Sequence, residues 1–77
     1  MSRAHLHLTF PQHLIDEPVL HRLSTDLEVI PNIRRANVDG TSAWVILSLD
    51  GTDDAIAAAI AWLEGNGVDV KRLEDEG

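Results

Sequence analysis

Residues 29–49 read VIPNIRRANVDGTSAWVILSL, and the way this stretch folds decides the architecture of the chain. Val29 to Val38 is an apolar-rich run interrupted by Pro31, which has no N–H to give to a sheet ladder. It therefore predicts an edge strand, bulged near Pro31–Asn32. Asp39-Gly40, extended by Thr41-Ser42, supplies a turn, and Ala43 to Leu49 returns as a second strand, making a hairpin. If Val45, Leu47 and Leu49 point inward, then Trp44, Ile46 and Ser48 point outward; the opposite phase would bury Ser48.

Upstream, Arg3 to Phe10 alternates, with Leu6, Leu8 and Phe10 on one face and His5, His7 and Thr9 on the other. That period of two marks a half-buried strand ended by Pro11. Asp16-Glu17-Pro18 reads as a helix start, with acids at the positive end and proline in the first turn. Val19, Leu20, Leu23 and Leu27 then fall within an arc of about 100°, while His21, Arg22, Thr25 and Asp26 face elsewhere. Downstream, Gly51-Thr52 turns the chain and Thr52 or Asp53 can cap a helix. Ala55 to Glu64 is alanine-rich, with Ile56, Ala59, Ile60 and Leu63 as its inner stripe and Trp62 on the flank. Gly65-Asn66-Gly67 stops it in left-handed conformations, and Val68 to Leu73 forms the last strand.

The element order is strand, helix, strand, strand, helix, strand. Two right-handed crossovers joined by a hairpin predict a ferredoxin-like α+β fold, a two-layer βαββαβ sandwich. Its four-stranded antiparallel sheet carries both helices on one face, with the first and third strands central. The whole chain, 1–77, reads as a single domain with a core over 4–73 and a solvated acidic tail over 74–77.

Composition narrows the functions. Six Lys and Arg against 13 Asp and Glu give a formal charge of −7, which disfavours nucleic acid and anionic lipid. The absence of cysteine excludes thiolate metal sites, iron–sulfur clusters and cysteine nucleophiles. No apolar run approaches the roughly 20 residues needed to cross a bilayer. The first residues do not form a secretory signal, so the expected location is cytoplasmic. Phosphate-loop, Gly-x-Ser-x-Gly and His-Glu-x-x-His motifs are absent, and the carboxylates are scattered. The chain is expected not to be an enzyme and to need no cofactor.

Three groups of residues invite a functional reading. The uncovered sheet face would present His7, Trp44 and Ile46, a surface for self-association or for a small ligand, and a homodimer is the expected use. The alternative is ordinary surface hydrophobes. His5 and His7 lie about 7 Å apart on one strand face, with Asp69 as the acidic neighbour, too few ligands for a metal site. Arg34-Arg35 follows Asn32-Ile33 on the suspected edge: either an anchor for a carboxylate, helped by the Asn32 amide, or a charged edge that discourages aggregation.

Six segments occur in order: Leu6-His7-Leu8-Thr9-Phe10-Pro11, Glu17-Pro18-Val19-Leu20, Asn32-Ile33-Arg34, Leu49-Asp50-Gly51, Ala59-Ile60-Ala61-Trp62-Leu63 and Gly67-Val68-Asp69-Val70. Together, from about Ala4 to Leu73, they resemble the NIL domain, the regulatory tail of methionine-importing ABC transporter ATPases, which also occurs fused to some ferredoxin-type proteins. The resemblance implies a ferredoxin-like fold and methionine bound at the interface of paired domains. It places Asn32, Ile33 and Arg34 at the ligand, with Arg34 standing where the family signature has leucine. It also implies a free-standing regulator acting in trans on a transporter ATPase or an enzyme of sulfur amino-acid metabolism. The competing expectation is a protein-interaction module that docks an enzyme or carrier through the same face or edge, with no small ligand.

Overall fold

The computed structural model describes residues 1–12, 18–39 and 41–73. The elements run β1 (Ser2–Phe10), α1 (Val19–Asp26), β2 (Ile30–Val38), β3 (Ala43–Gly51), α2 (Asp53–Gly65) and β4 (Asp69–Leu73). The strands form one antiparallel sheet in the order β2-β3-β1-β4, the ferredoxin-like arrangement, with β1 and β3 central and β2 and β4 at the edges. The expected helix start at Asp16-Glu17 and the tail beyond Leu73 lie outside the described residues, as does Gly40 of the hairpin turn.

Alternation produces the core. Leu6 and Leu8 of β1 lie opposite Leu47 and Val45 of β3, and all four are buried. Val19 and Leu23 of α1, with Ile56, Ala59 and Leu63 of α2, close over them, and Leu20, Leu27, Ile60 and Trp62 pack at the margin. Arg22 lies 5.6 Å from the centroid of the Trp62 ring, a cation–π contact between the helices. Thr52 is the cap of α2: its Oγ1 accepts a hydrogen bond from the Ala55 amide at 3.0 Å.

Some local details depart from the sequence-based expectations or lie outside them. The irregularity in β2 falls between Ile33 and Arg35, so Arg34, rather than Pro31–Asn32, is the extra residue. Pro31 keeps a regular register opposite Leu49, because an edge proline forfeits no ladder bond when its nitrogen faces outward. After α2 only Gly67 is left-handed, at φ +92°; Asn66 sits at φ −94° and donates its side-chain amide to the Trp62 carbonyl at 2.8 Å. The exit from α1 takes a left-handed step at Glu28 (φ 58°), where glycine would be less strained. Ser48 is buried even though it points away from the helices, because its small side chain lies between the longer Asn32 and His5 on the neighbouring strands.

Candidate functional site

Cross-strand partners share a face, so the register lays out the helix-free side of the sheet row by row. The first row is Ile30, Asp50 and Arg3; the second is Asn32, Ser48, His5 and Leu73. Arg35, Ile46, His7 and Lys71 make the third row, and Asn37, Trp44, Thr9 and Asp69 the fourth. His7 and Trp44 stack diagonally, with ring centroids 5.8 Å apart and planes 16° from parallel. His7, Trp44 and Ile46, expected as an interface, are therefore neighbours on one half-buried patch.

The expected ligand residues are not all brought together. Asn32 lies on the open face. Ile33 is opposite Leu47 and so belongs to the helix-side face, where it is 57% exposed. Arg34 occupies the bulge at the exposed edge. Asp69 stands beside Thr9, and the residue placed against His7 is Lys71, whose charge opposes a metal there. Among the described residues no group of three or more His, Asp or Glu is arranged to hold a metal ion.

What Asn32 does meet is a polar link across three strands. Its side-chain amide donates to Asp50 Oδ2 at 3.1 Å, and Arg3 grips the same carboxylate through Nε to Oδ1 at 2.6 Å and Nη2 to Oδ2 at 3.3 Å. Met1, Ser2, Arg3, Ile30 and Asp50 line a hollow of ≈ 410 Å³ at this end of the face. Ser2 is fixed in turn by a hydrogen bond from its hydroxyl to Asp53, at the start of α2. Arg3 and Asp50 were missed as site residues, yet a signal existed. Arg3 is two positions before His5 and Asp50 two after Ser48, so extending each strand's alternation by one step puts both on the open face.

Electrostatics reinforce the asymmetry. In a chain of net charge −7, the four rows carry Arg3, Arg35 and Lys71 against only Asp50 and Asp69. The hydrogen bond from Arg3 is the largest influence and holds the Asp50 carboxyl below the usual aspartate range; desolvation opposes it, and the Arg3 charge and the Asn32 amide lower it further. Asp39 is lowered too, first by the backbone N–H groups of Thr41 and Ser42, which its Oδ1 accepts at 3.0 and 3.1 Å to close the hairpin.

Both depressed pKa values have one sign in the stability. The unfolded chain takes up these protons at higher pH than the folded one, so their stabilisation is present above the ordinary aspartate range and is lost as pH falls through it. The urea midpoint is expected to drop between pH 5 and pH 3, and to drop less in an Asp39→Asn, Asp50→Asn double variant. Parallel falls in both proteins would remove these two groups as the cause.

Among the described residues, the ferredoxin-like sandwich has one sheet face without helices, with an aromatic patch at its middle and a charged hollow at its end. The family model described as the NIL domain matches residues 4–72. The chain belongs to the NIL domain family, whose members are non-catalytic regulatory domains. Among solved structures it is similar to the C-terminal domain of an ABC transporter ATP-binding protein from Enterococcus faecalis, with a TM-score of 0.80 and 19% identity. That match covers 95% of this chain and 86% of the other, and at this identity it speaks for the fold. No curated relative matches. Among the described residues no helix is long and apolar enough to cross a membrane.

Proposed function

We propose that this NIL domain senses methionine or a related amino acid near Asn32, works as a homodimer through the His7–Trp44–Ile46 patch, and regulates a transporter ATPase or a sulfur amino-acid enzyme in the cytoplasm. The observation that carries the reading is Asn32 itself. The family's signature asparagine stands on the open face, its amide held by a carboxylate at the rim of the hollow. A thioether has apolar surface to pack on there, and the charged ends of an amino acid have polar partners. Ile33 and Arg34 follow Asn32 along the edge strand, Arg34 at its exposed bulge.

Calorimetric titration with methionine, homocysteine, cysteine and aspartate tests the reading. Saturable heat with methionine, weakened about tenfold or more in Asn32→Ala, is the expected result. Silence with all four ligands up to millimolar concentration overturns it. Sedimentation of the wild type against Trp44→Glu tests the dimer.

A second reading is favoured by the collection of cations on the open face of an acidic chain. As a docking module, the domain would use Arg34, Arg35 and Lys71 to meet an acidic surface on an enzyme or carrier protein, with no small ligand. Capture of one defined partner, lost in Arg34→Glu while the fold persists, together with calorimetric silence, would select this reading.

A further inference from the structure

The chain has three asparagines, and they differ in the residue that follows. Asn32 precedes Ile33 and Asn37 precedes Val38, β-branched residues that crowd the peptide bond after the asparagine. Asn66 precedes Gly67, which has no Cβ, and both are exposed just past the last turn of α2. In an asparagine–glycine pair the glycine nitrogen can attack the asparagine side-chain amide. We propose that Asn66 is a modification site gated by this turn: while closed the turn prevents the attack, and molecules that open there deamidate. The Gly67 nitrogen gives its proton to water and bonds to Asn66 Cγ; the Cγ–Nδ2 bond breaks and ammonia leaves. Water then opens the succinimide at either carbonyl, which yields aspartate, or isoaspartate with the main chain routed through the side-chain carbon.

The closed turn hinders each part of that step. The nucleophile is occupied, because the Gly67 N–H donates to the Glu64 carbonyl at 3.1 Å. The electrophile is held, because Asn66 Nδ2 donates to the Trp62 carbonyl at 2.8 Å. At ψ 4° the Gly67 nitrogen eclipses the backbone nitrogen of Asn66 rather than its Cβ, so ring closure needs a large rotation. That rotation would pull Gly67 from Glu64 and Val68 from Leu63, whose carbonyl accepts the Val68 N–H at 3.0 Å. Val68 is only 3% exposed and belongs to the core, so the rotation requires the chain entering β4 to lift out of it. Neither product restores the turn. A carboxylate at position 66 has no proton for the Trp62 carbonyl and sets negative charge against the carbonyl end of the helix. Isoaspartate adds a main-chain carbon and moves both N–H groups off their acceptors. Each opening that reacts therefore makes the next one easier.

The test follows amide-to-acid conversion in the full chain by peptide mass spectrometry, after incubation at mildly alkaline pH. Native protein is compared with the same protein unfolded in guanidinium chloride. Conversion at Asn66 is expected to be about tenfold or more slower in the native sample, with Asn32 and Asn37 little changed in either. Val68→Ala loosens the anchor but leaves Asn66 and Gly67 in place, and should speed conversion under native conditions. Should that variant fail to fold, denaturant below the unfolding transition gives the same acceleration in the wild type. Asn66→Asp should melt at a lower temperature than the wild type, and an unaltered melt would overturn the account of the product. Equal rates in the native and unfolded samples would overturn the gate. An unchanged Asn66 in the unfolded sample would overturn the site itself.

Discussion

Leu47→Ala is expected to remove about 3–5 kcal/mol. Leu47 is fully buried on a central strand, between Leu6 of β1 and Ile33 of β2 and beneath the helix layer. Its neighbours are held by sheet hydrogen bonds on both sides and cannot collapse into the space left behind. A chain of 77 residues has about 4–12 kcal/mol of stability in total, so the variant forfeits a large share of it. Urea denaturation followed by circular dichroism measures it, with Leu47→Met as the volume-conserving control expected to cost less than about 1.5 kcal/mol. A loss below about 1 kcal/mol for the alanine variant would mean that the core is looser than described.

The second large effect is steric. A Cβ at Gly51 would lie 3.1 Å from Val29 Cγ1, 3.6 Å from the Glu28 carbonyl oxygen and 3.7 Å from Ala55 Cβ. The glycine is there because the end of β3 passes directly under the chain leaving α1, and its backbone angles are ones any residue can adopt. Val29 is only 1% exposed, so it cannot swing into solvent to make room. Gly51→Ala should cost about 1 kcal/mol and Gly51→Val about 2–3 kcal/mol. In a Val29→Ala background the cost of Gly51→Ala should shrink, a coupling that a double-mutant cycle reads directly. Additive costs would show that the methyl of Val29 is not the obstacle.

Much of this molecule was legible before its coordinates, and the parts that were not share a cause. Alternation in Arg3 to Phe10 and Ala43 to Leu49, and the apolar stripes of the two helices, are properties of neighbouring residues, so the element order and the sheet's inner face followed from them. The shift of the bulge to Arg34 and the left-handed step at Glu28 were hidden, because neither position carries the glycine or asparagine that usually marks such geometry. The Arg3–Asp50–Asn32 link was hidden for a different reason. It joins residues 47 and 18 positions apart, and only the pairing register brings them together. His7, Trp44 and Ile46 needed less, since phase alone put them on one face.

The register of β4 against β1 has one more consequence. His5 is paired with Leu73, so β4 finishes beside the place where β1 starts, at the end of the sheet that holds Arg3, Asp50 and Ile30. A tether joined at Ser2 or carried on past Leu73 would leave the domain within a few residues of that hollow. A fluorophore or a fused reporter attached at either point would sit beside that hollow, with no lever running through the core.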